Sequence, residues 1–488
     1  MTATAEPNAL LITGATVLTL DDGRTIIENG AVAIEGDRIT AVGASDDLRQ
    51  RFPDMETLDA TGKAVMPGFI NSHTHAVLLV LRGTVEDMSG DAIFGYMTPI
   101  SFAMTSDERR ALARLGCLEA IRSGTTTVVE PFRFVAGYAQ GMVETGLRLW
   151  LSESGADALT LKIRHGVYEY DRAFGEAFLE RIVTLVERFH DTEAGRVRCQ
   201  MAAHAPDVCS PWMLGQLNDL ARKHGLTRTV HLAQSPGEIK QVRAAYDRTP
   251  AEYLRDNDWL GSDVVAAHWT YCTDADIDLL AEHGVHMAHC PANSSCRGPH
   301  QVRAGRILDA GVNIVLGTDN MTEDMFQALK IGSIIHRGGR GGKHEGGGVD
   351  PTPQATLDAA TRNGARALRA EADLGSLEAG KKADLTILDL NQAHLRPIIN
   401  LVSSIVHYGH PGAVDSVMVD GRFVMRDGKV LTMDEDAVIT EAQEATVAAW
   451  HRLHETSGDI DLPPGLEAAF ANPEPNLLDI AVDGRVGG

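Results

Sequence analysis

Eight short apolar runs, most of them followed by a stretch of helical composition, narrow the folds open to this chain more than anything else in it. They lie at residues 64–70, 125–129, 147–151, 197–203, 228–232, 264–267, 286–289 and 313–316. Each has the length of a strand, and eight βα units are the number that closes a parallel barrel. Several helix starts are readable: Thr105 with Glu108, Ser210 before Pro211, Thr249 with Pro250 and Glu252, and Thr352 before Pro353. In each, a side-chain oxygen can accept from a backbone N–H that the first helical turn leaves without a partner. Gly225 and Gly284 fall where helices should stop. An open, doubly wound sheet is the alternative, but no Gly-x-Gly-x-x-Gly follows a strand to favour it.

The two ends have another texture. Residues 9–64, and again 383–389 and 414–428, are β-branched runs separated by Asp-Gly and Asn-Gly turns. This predicts an α/β chain: a (β/α)8 TIM-type barrel over 67–379, with a small discontinuous β-sandwich from 1–66 and 380–434. A helix and a tail would follow over 435–488. A length of 488 residues agrees, being too great for one ordinary core.

A formal net charge of −23 argues against nucleic acid or an anionic membrane as partner, because no basic stripe is available to neutralise phosphates. The six cysteines contain no Cys-x-x-Cys pair, which suggests reduced thiols in a cytoplasm. Neither a signal peptide nor a membrane span is legible. The partners expected are a small-molecule substrate and further copies of the chain, as a homodimer or higher homo-oligomer.

Chemistry in a βα barrel sits at the C-terminal ends of the strands, so a polar residue that ends an apolar run is informative. His73 and His75 follow the first run at i, i+2, a spacing that lets both side chains turn toward one point. His204 ends the fourth run, His231 falls at the end of the fifth, His268 ends the sixth and Asp319 the eighth. Imidazole is the commonest neutral ligand for a divalent transition metal. One His-x-His is a weak signal, whereas imidazoles at several strand ends make a strong one.

The ordered motifs Pro67-Gly-Phe-Ile-Asn-Ser-His-Thr-His, Gly124-Thr-Thr-Thr-Val, His204-Ala-Pro, His231-Leu-Ala, Ala267-His268, His289-Cys-Pro and Gly317-Thr-Asp resemble the amidohydrolase superfamily. They are most similar to its branch of triazine hydrolases, guanine deaminases and S-adenosylhomocysteine deaminases, as is Gly375-Ser-Leu-Glu-Ala-Gly-Lys-Lys-Ala-Asp-Leu. The resemblance implies one divalent metal ion held by His73, His75, His231 and Asp319, with His268 polarising the water or substrate and His204 contacting substrate. Zinc is the default; the same ligands accept iron, cobalt or manganese. Binuclear relatives use a carboxylated lysine from a middle strand, and residues 147–151 and 197–203 contain no Lys.

One position departs from the branch. Its deaminases place a proton-shuttling glutamate three residues after the fifth-strand histidine, and this chain has Gln234. An amide orients a substrate but does not titrate near neutrality. Glu238 is the nearest replacement, yet Ser235-Pro-Gly-Glu238 reads better as a capping box. Glu130 and Trp269 are further expected substrate contacts, with Glu130 and Asp207 also suited to orienting a ligand or a metal-bound histidine through a hydrogen bond.

Together these readings predict a mononuclear metal-dependent hydrolase that cleaves a C–N bond of a nitrogen heterocycle, with His268, Asp319 and Gln234 in catalytic roles. A hydrolase expelling halide or thiolate is the first alternative, because such groups leave without a proton. A catalytically degenerate binding paralogue is the second.

Overall fold

The first apolar run serves two sheets. In the computed structural model, which describes residues 9–86, 92–296, 302–335 and 351–460, Lys63–Pro67 joins one sheet and Phe69–Asn71 the other. Gly68 makes the crossing: a Cβ there would lie 2.1 Å from Thr126 Cγ2, so no side chain fits. The Gly-rich run at 338–348 and the tail at 461–488 lie outside the described residues.

The second sheet is the barrel. Its strands are Phe69–Asn71, Thr125–Phe132, Arg148–Gly155, Val197–Cys199 continued by Met201–Ala203, Arg228–Leu232, Val264–His268, His286–His289 and Ile314–Leu316, every neighbouring pair parallel. The ring closes between its first and last strands: Ser72 N donates to Leu316 O at 2.9 Å, Asp319 N to His73 O at 2.9 Å and His75 N to Asp319 O at 2.6 Å. Gly317 permits the approach, since a Cβ there would stand 2.7 Å from His73 O. Asn71 laces the same seam, donating from Nδ2 to Thr318 Oγ1 and to Glu323 Oε2, both at 2.8 Å.

The helices start where their caps predict. Thr105 and Thr249 form complete capping boxes with Glu108 and Glu252, while Ser210 and Thr352 each accept from the N–H three residues on. Gly225, at φ 65°, ends Pro211–His224 in the left-handed region.

The other sheet has nine strands and is built from both ends of the chain. Its halves meet where Lys63–Pro67 pairs antiparallel with Leu385–Asp389. Alternate residues of Ala9–Leu18 serve opposite faces: Leu10 and Ile12 pack with Val32 and Ile34, whereas Leu11 packs with Leu48 of Ser45–Arg51. Arg148, which opens the third barrel strand, reaches Asp384 and Asp420 beside this sheet and ties the two together. The helix Glu435–Ser457 lies on the barrel: Trp450 Nε1 donates to Val80 O at 2.9 Å and Arg452 pairs with Glu108 at 2.6 Å. Among the described residues, no helix is long and apolar enough to cross a membrane.

Candidate active site

Short parallel strands ending in polar residues bring distant parts of the chain to one mouth. One ligand atom from each of His73, His231 and His268 lies within 4.8 Å of the others, and the same holds for His73, His75 and Asp319. His75 Nε2 and His231 Nε2 are 3.0 Å apart, and Asp319 Oδ1 is 3.5 Å from His75 Nε2. His268 Nε2 stands 3.9 Å from Asp319 Oδ2. Cys290 Sγ is near His268 and Asp319, in a residue that is fully buried.

The protonation states suit a cation. His231 Nδ1 lies 2.6 Å from His204 O, and a carbonyl only accepts, so the proton is on Nδ1 and the Nε2 lone pair faces His75. Burial, reinforced by neighbouring imidazoles, holds His73 and His75 well below the ordinary histidine pKa, leaving both neutral. Both ring nitrogens of His73 and Nδ1 of His75 are buried without a hydrogen-bond partner. Nitrogen and oxygen ligands of a tetrahedral ion at bond lengths near 2.1 Å sit about 3.4 Å apart, and the observed separations straddle that figure. Orphaned nitrogens, neutral rings and an adjacent carboxylate thus fit a divalent cation.

The backbone is bent to make this arrangement. His268 (φ 82°), Trp269 (φ 55°) and Asp319 (φ 68°) all lie in the left-handed region, which costs a non-glycine residue on the order of 1 kcal/mol or more. The turn at His268 and Trp269 breaks the strand alternation. His268 joins the metal group, and the Trp269 indole, 1% exposed, packs into the main hydrophobic core. Trp269 is not among the side chains lining the cleft, which include His75, Phe132, Arg133, His204, Gln234 and Asn320.

Glu130 likewise lies behind the site and not in the cleft. Its carboxylate accepts from Thr74 Oγ1 at 2.8 Å, Ala76 N at 3.0 Å and Tyr138 Oη at 2.8 Å, which fixes the segment bearing His73 and His75. Burial pushes the carboxyl up to about 7. Glu130→Ala strands these donors and is expected to weaken metal affinity by roughly 10- to 100-fold, whereas Glu130→Gln keeps an acceptor and should stay near the parent. Competition with a chromophoric chelator measures both.

Glu238 departs from the capping-box reading. Ser235 Oγ accepts from Glu238 N at 3.1 Å, but the Glu238 carboxylate accepts from Ala233 N at 2.7 Å and Gln234 N at 2.9 Å. It braces the loop that carries Gln234. Burial, with the charge of Asp207 beside it, pushes its carboxyl well above the usual range. Asp207 itself accepts from Tyr168 Oη at 3.0 Å.

Two residues of the site went unread in the sequence. Asn320 Nδ2 donates to Asp319 Oδ1 at 3.1 Å, orienting that carboxylate. Arg133 is 1% exposed, lines the cleft, and places Nη2 3.0 Å from His204 Nε2. Their only sequence signal is position, just past a strand end.

Comparison with known proteins agrees with this geometry. The amidohydrolase family profile matches residues 64–424. The chain belongs to the amidohydrolase family. A profile for a bacterial imidazolonepropionase-like composite domain also matches residues 30–54. The amidohydrolase is 33% identical over 439 residues to a 5-methylthioadenosine/S-adenosylhomocysteine deaminase of Syntrophobacter fumaroxidans, covering 88% of this chain and 96% of that protein. It is 31% identical over 445 residues to a 5'-deoxyadenosine deaminase of Methanosarcina mazei, covering 89% and 97%. Among solved structures, an adenosine deaminase from Xanthomonas campestris with bound zinc superposes at TM-score 0.80 with 25% identity, over 92% of this chain and 99% of that one. Atrazine chlorohydrolase from Arthrobacter aurescens, complexed with zinc, shares the fold at TM-score 0.79 and 23% identity, over 90% and 100%. This amidohydrolase is a metal-dependent hydrolase of carbon–nitrogen bonds that uses a divalent ion.

Proposed function

We propose that this enzyme removes an exocyclic amine hydrolytically from a nitrogen heterocycle of the adenosine type, using one zinc ion held by His73, His75, His231 and Asp319. The observation that supports it is the convergence of those four side chains with His268 at the C-terminal mouth of the barrel. A divalent ion bound there supplies a Lewis acid that lowers the pKa of water toward neutrality. Asp319, placed 3.9 Å from His268 Nε2, is the proton acceptor within reach of both the ligand set and the cleft. His268 donates a hydrogen bond to the oxygen that attacks or to the charge that develops on it. His204 and Gln234, both lining the cleft, orient the ring.

The deciding experiment loads the protein with zinc and assays ammonia release across aminopurines, aminopyrimidines and aminotriazines. Release that disappears on chelation and returns with one ion per chain supports the reading; inertness across the panel overturns it.

Gln234 favours a second reading. It has no proton to give a departing amine, so a halide or thiolate leaving group suits the site equally well on that ground. Gln234→Glu separates the two: if amine departure is limited by protonation, turnover of amino substrates should rise by roughly 10²-fold, with halide release unchanged.

Cys117, Cys199, Cys209, Cys272 and Cys290 are buried thiols, which supports a cytoplasmic setting. Strongly exposed Ile399 and Tyr408, near Leu401–Tyr408, support a homo-oligomer.

A further inference from the structure

Arg133 is a buried cation with no carboxylate partner among the described residues. Its Nη1 lies 3.3 Å from Thr98 Oγ1, its Nη2 lies 3.0 Å from His204 Nε2, and its Nε has no hydrogen-bond partner. The Phe102 and Phe132 rings flank it, each at 5.8 Å. The nearby carboxylate of Glu153 is already engaged, accepting from Phe134 N, Val135 N and Arg181 Nε at 2.8, 2.7 and 3.0 Å. Burial lowers the Arg133 pKa only to about 10, so the charge persists at neutrality. A guanidinium taken out of water and left with one hydroxyl and one imidazole is unfavourable unless something else completes it.

Its neighbour tells the same story. Arginine only donates, so His204 Nε2 must accept and His204 carries its proton on Nδ1. Nδ1 is buried with no hydrogen-bond partner. This side of the cleft therefore offers a cation and an N–H, and among the described residues no carboxylate pairs with either.

We infer that Arg133, with His204, forms a subsite for a negatively charged oxygen carried by the substrate, either a carboxylate beside the ring or a ring oxyanion. The inference rests on the hydrolase reading for the nature of the ring and adds which substituents the ring must bear. A neutral ring alone leaves the guanidinium uncompensated; a carboxylate or oxyanion borne on the same heterocycle completes it with charge-assisted hydrogen bonds.

Titration calorimetry on the zinc-loaded enzyme at pH 8 tests it, with uracil as the neutral ring, orotate as the same ring carrying a carboxylate, and barbiturate as the ring oxyanion. At least one anion should bind about 10- to 100-fold more tightly than uracil, and which one does so identifies the source of the charge. In Arg133→Met that preference should vanish; in Arg133→Lys part of it should remain. Equal binding of all three to the parent enzyme overturns the proposal. So does a preference that survives Arg133→Met, which would place the anion on the metal. Should Arg133→Met fail to fold, the parent ranking and Arg133→Lys still decide. Ammonia release is scored separately: an Arg133-dependent anion preference without any amine release would sink the deaminase reading and leave this subsite standing.

Discussion

Asp319→Asn is expected to lower turnover by about 10³- to 10⁴-fold while leaving the fold intact. Asparagine keeps an oxygen in place but loses the negative charge and the capacity to take a proton. In the native site that carboxylate stands 3.5 Å from His75 Nε2 and 3.9 Å from His268 Nε2, and Asn320 holds it from the other side. Steady-state kinetics paired with metal analysis of the same sample separates the two roles proposed for it, metal ligand and proton acceptor. Activity lost with the ion retained marks Asp319 as the proton acceptor, and activity restored by excess zinc marks it as mainly a ligand. A variant keeping more than about a tenth of parental turnover would contradict both.

Arg148→Leu should be the most destabilising single change outside the site, at about 3–5 kcal/mol. The Arg148 side chain is 3% exposed and grips Asp384 through two bonds of 2.7 and 3.0 Å, with a further contact to Asp420. Asp384 Oδ1 also accepts from Asp420 N at 2.9 Å. Removing the guanidinium leaves two carboxylates stranded between the barrel and the nine-stranded sheet. Urea unfolding followed by tryptophan fluorescence and by far-ultraviolet dichroism reads the loss. A shift below about 1 kcal/mol would mean that water or Lys382, which lies 3.3 Å from Asp420, takes over the charge.

What could be read in advance divides along physical lines. Strand positions, helix caps and the histidines at strand ends were legible because each is set by a few neighbouring residues: an apolar run, a Thr-x-x-Glu box, a polar residue where the run stops. Trp269 was expected at the cleft because it follows a strand end, but two consecutive left-handed residues turn its indole into the core. Glu238 was half legible: the serine cap is there, but the carboxylate reaches the two amides before the cap, a choice made by the loop's path. Glu130 had two readings, a substrate contact and a hydrogen bond that orients a ligand or a metal-bound histidine; it lies behind the cleft and holds Thr74 and Ala76, beside His73 and His75. Arg133 carried no signal, since an arginine after a strand is ordinarily solvated and only tertiary burial makes it exceptional.

The seam between the first and last barrel strands has a consequence for how the protein matures. The backbone bonds that close the ring pass through His73, His75 and Asp319 themselves, and the side-chain link from Asn71 to Thr318 spans 247 residues of chain. Contacts between segments so far apart form late, after the entropy of a very long loop has been overcome. A nascent polypeptide therefore exposes its His-x-His pair long before the aspartate emerges from the ribosome. A divalent ion that needs both the His-x-His pair and Asp319 is therefore held only by chains already translated past their eighth strand, the same chains that can zip the cylinder shut.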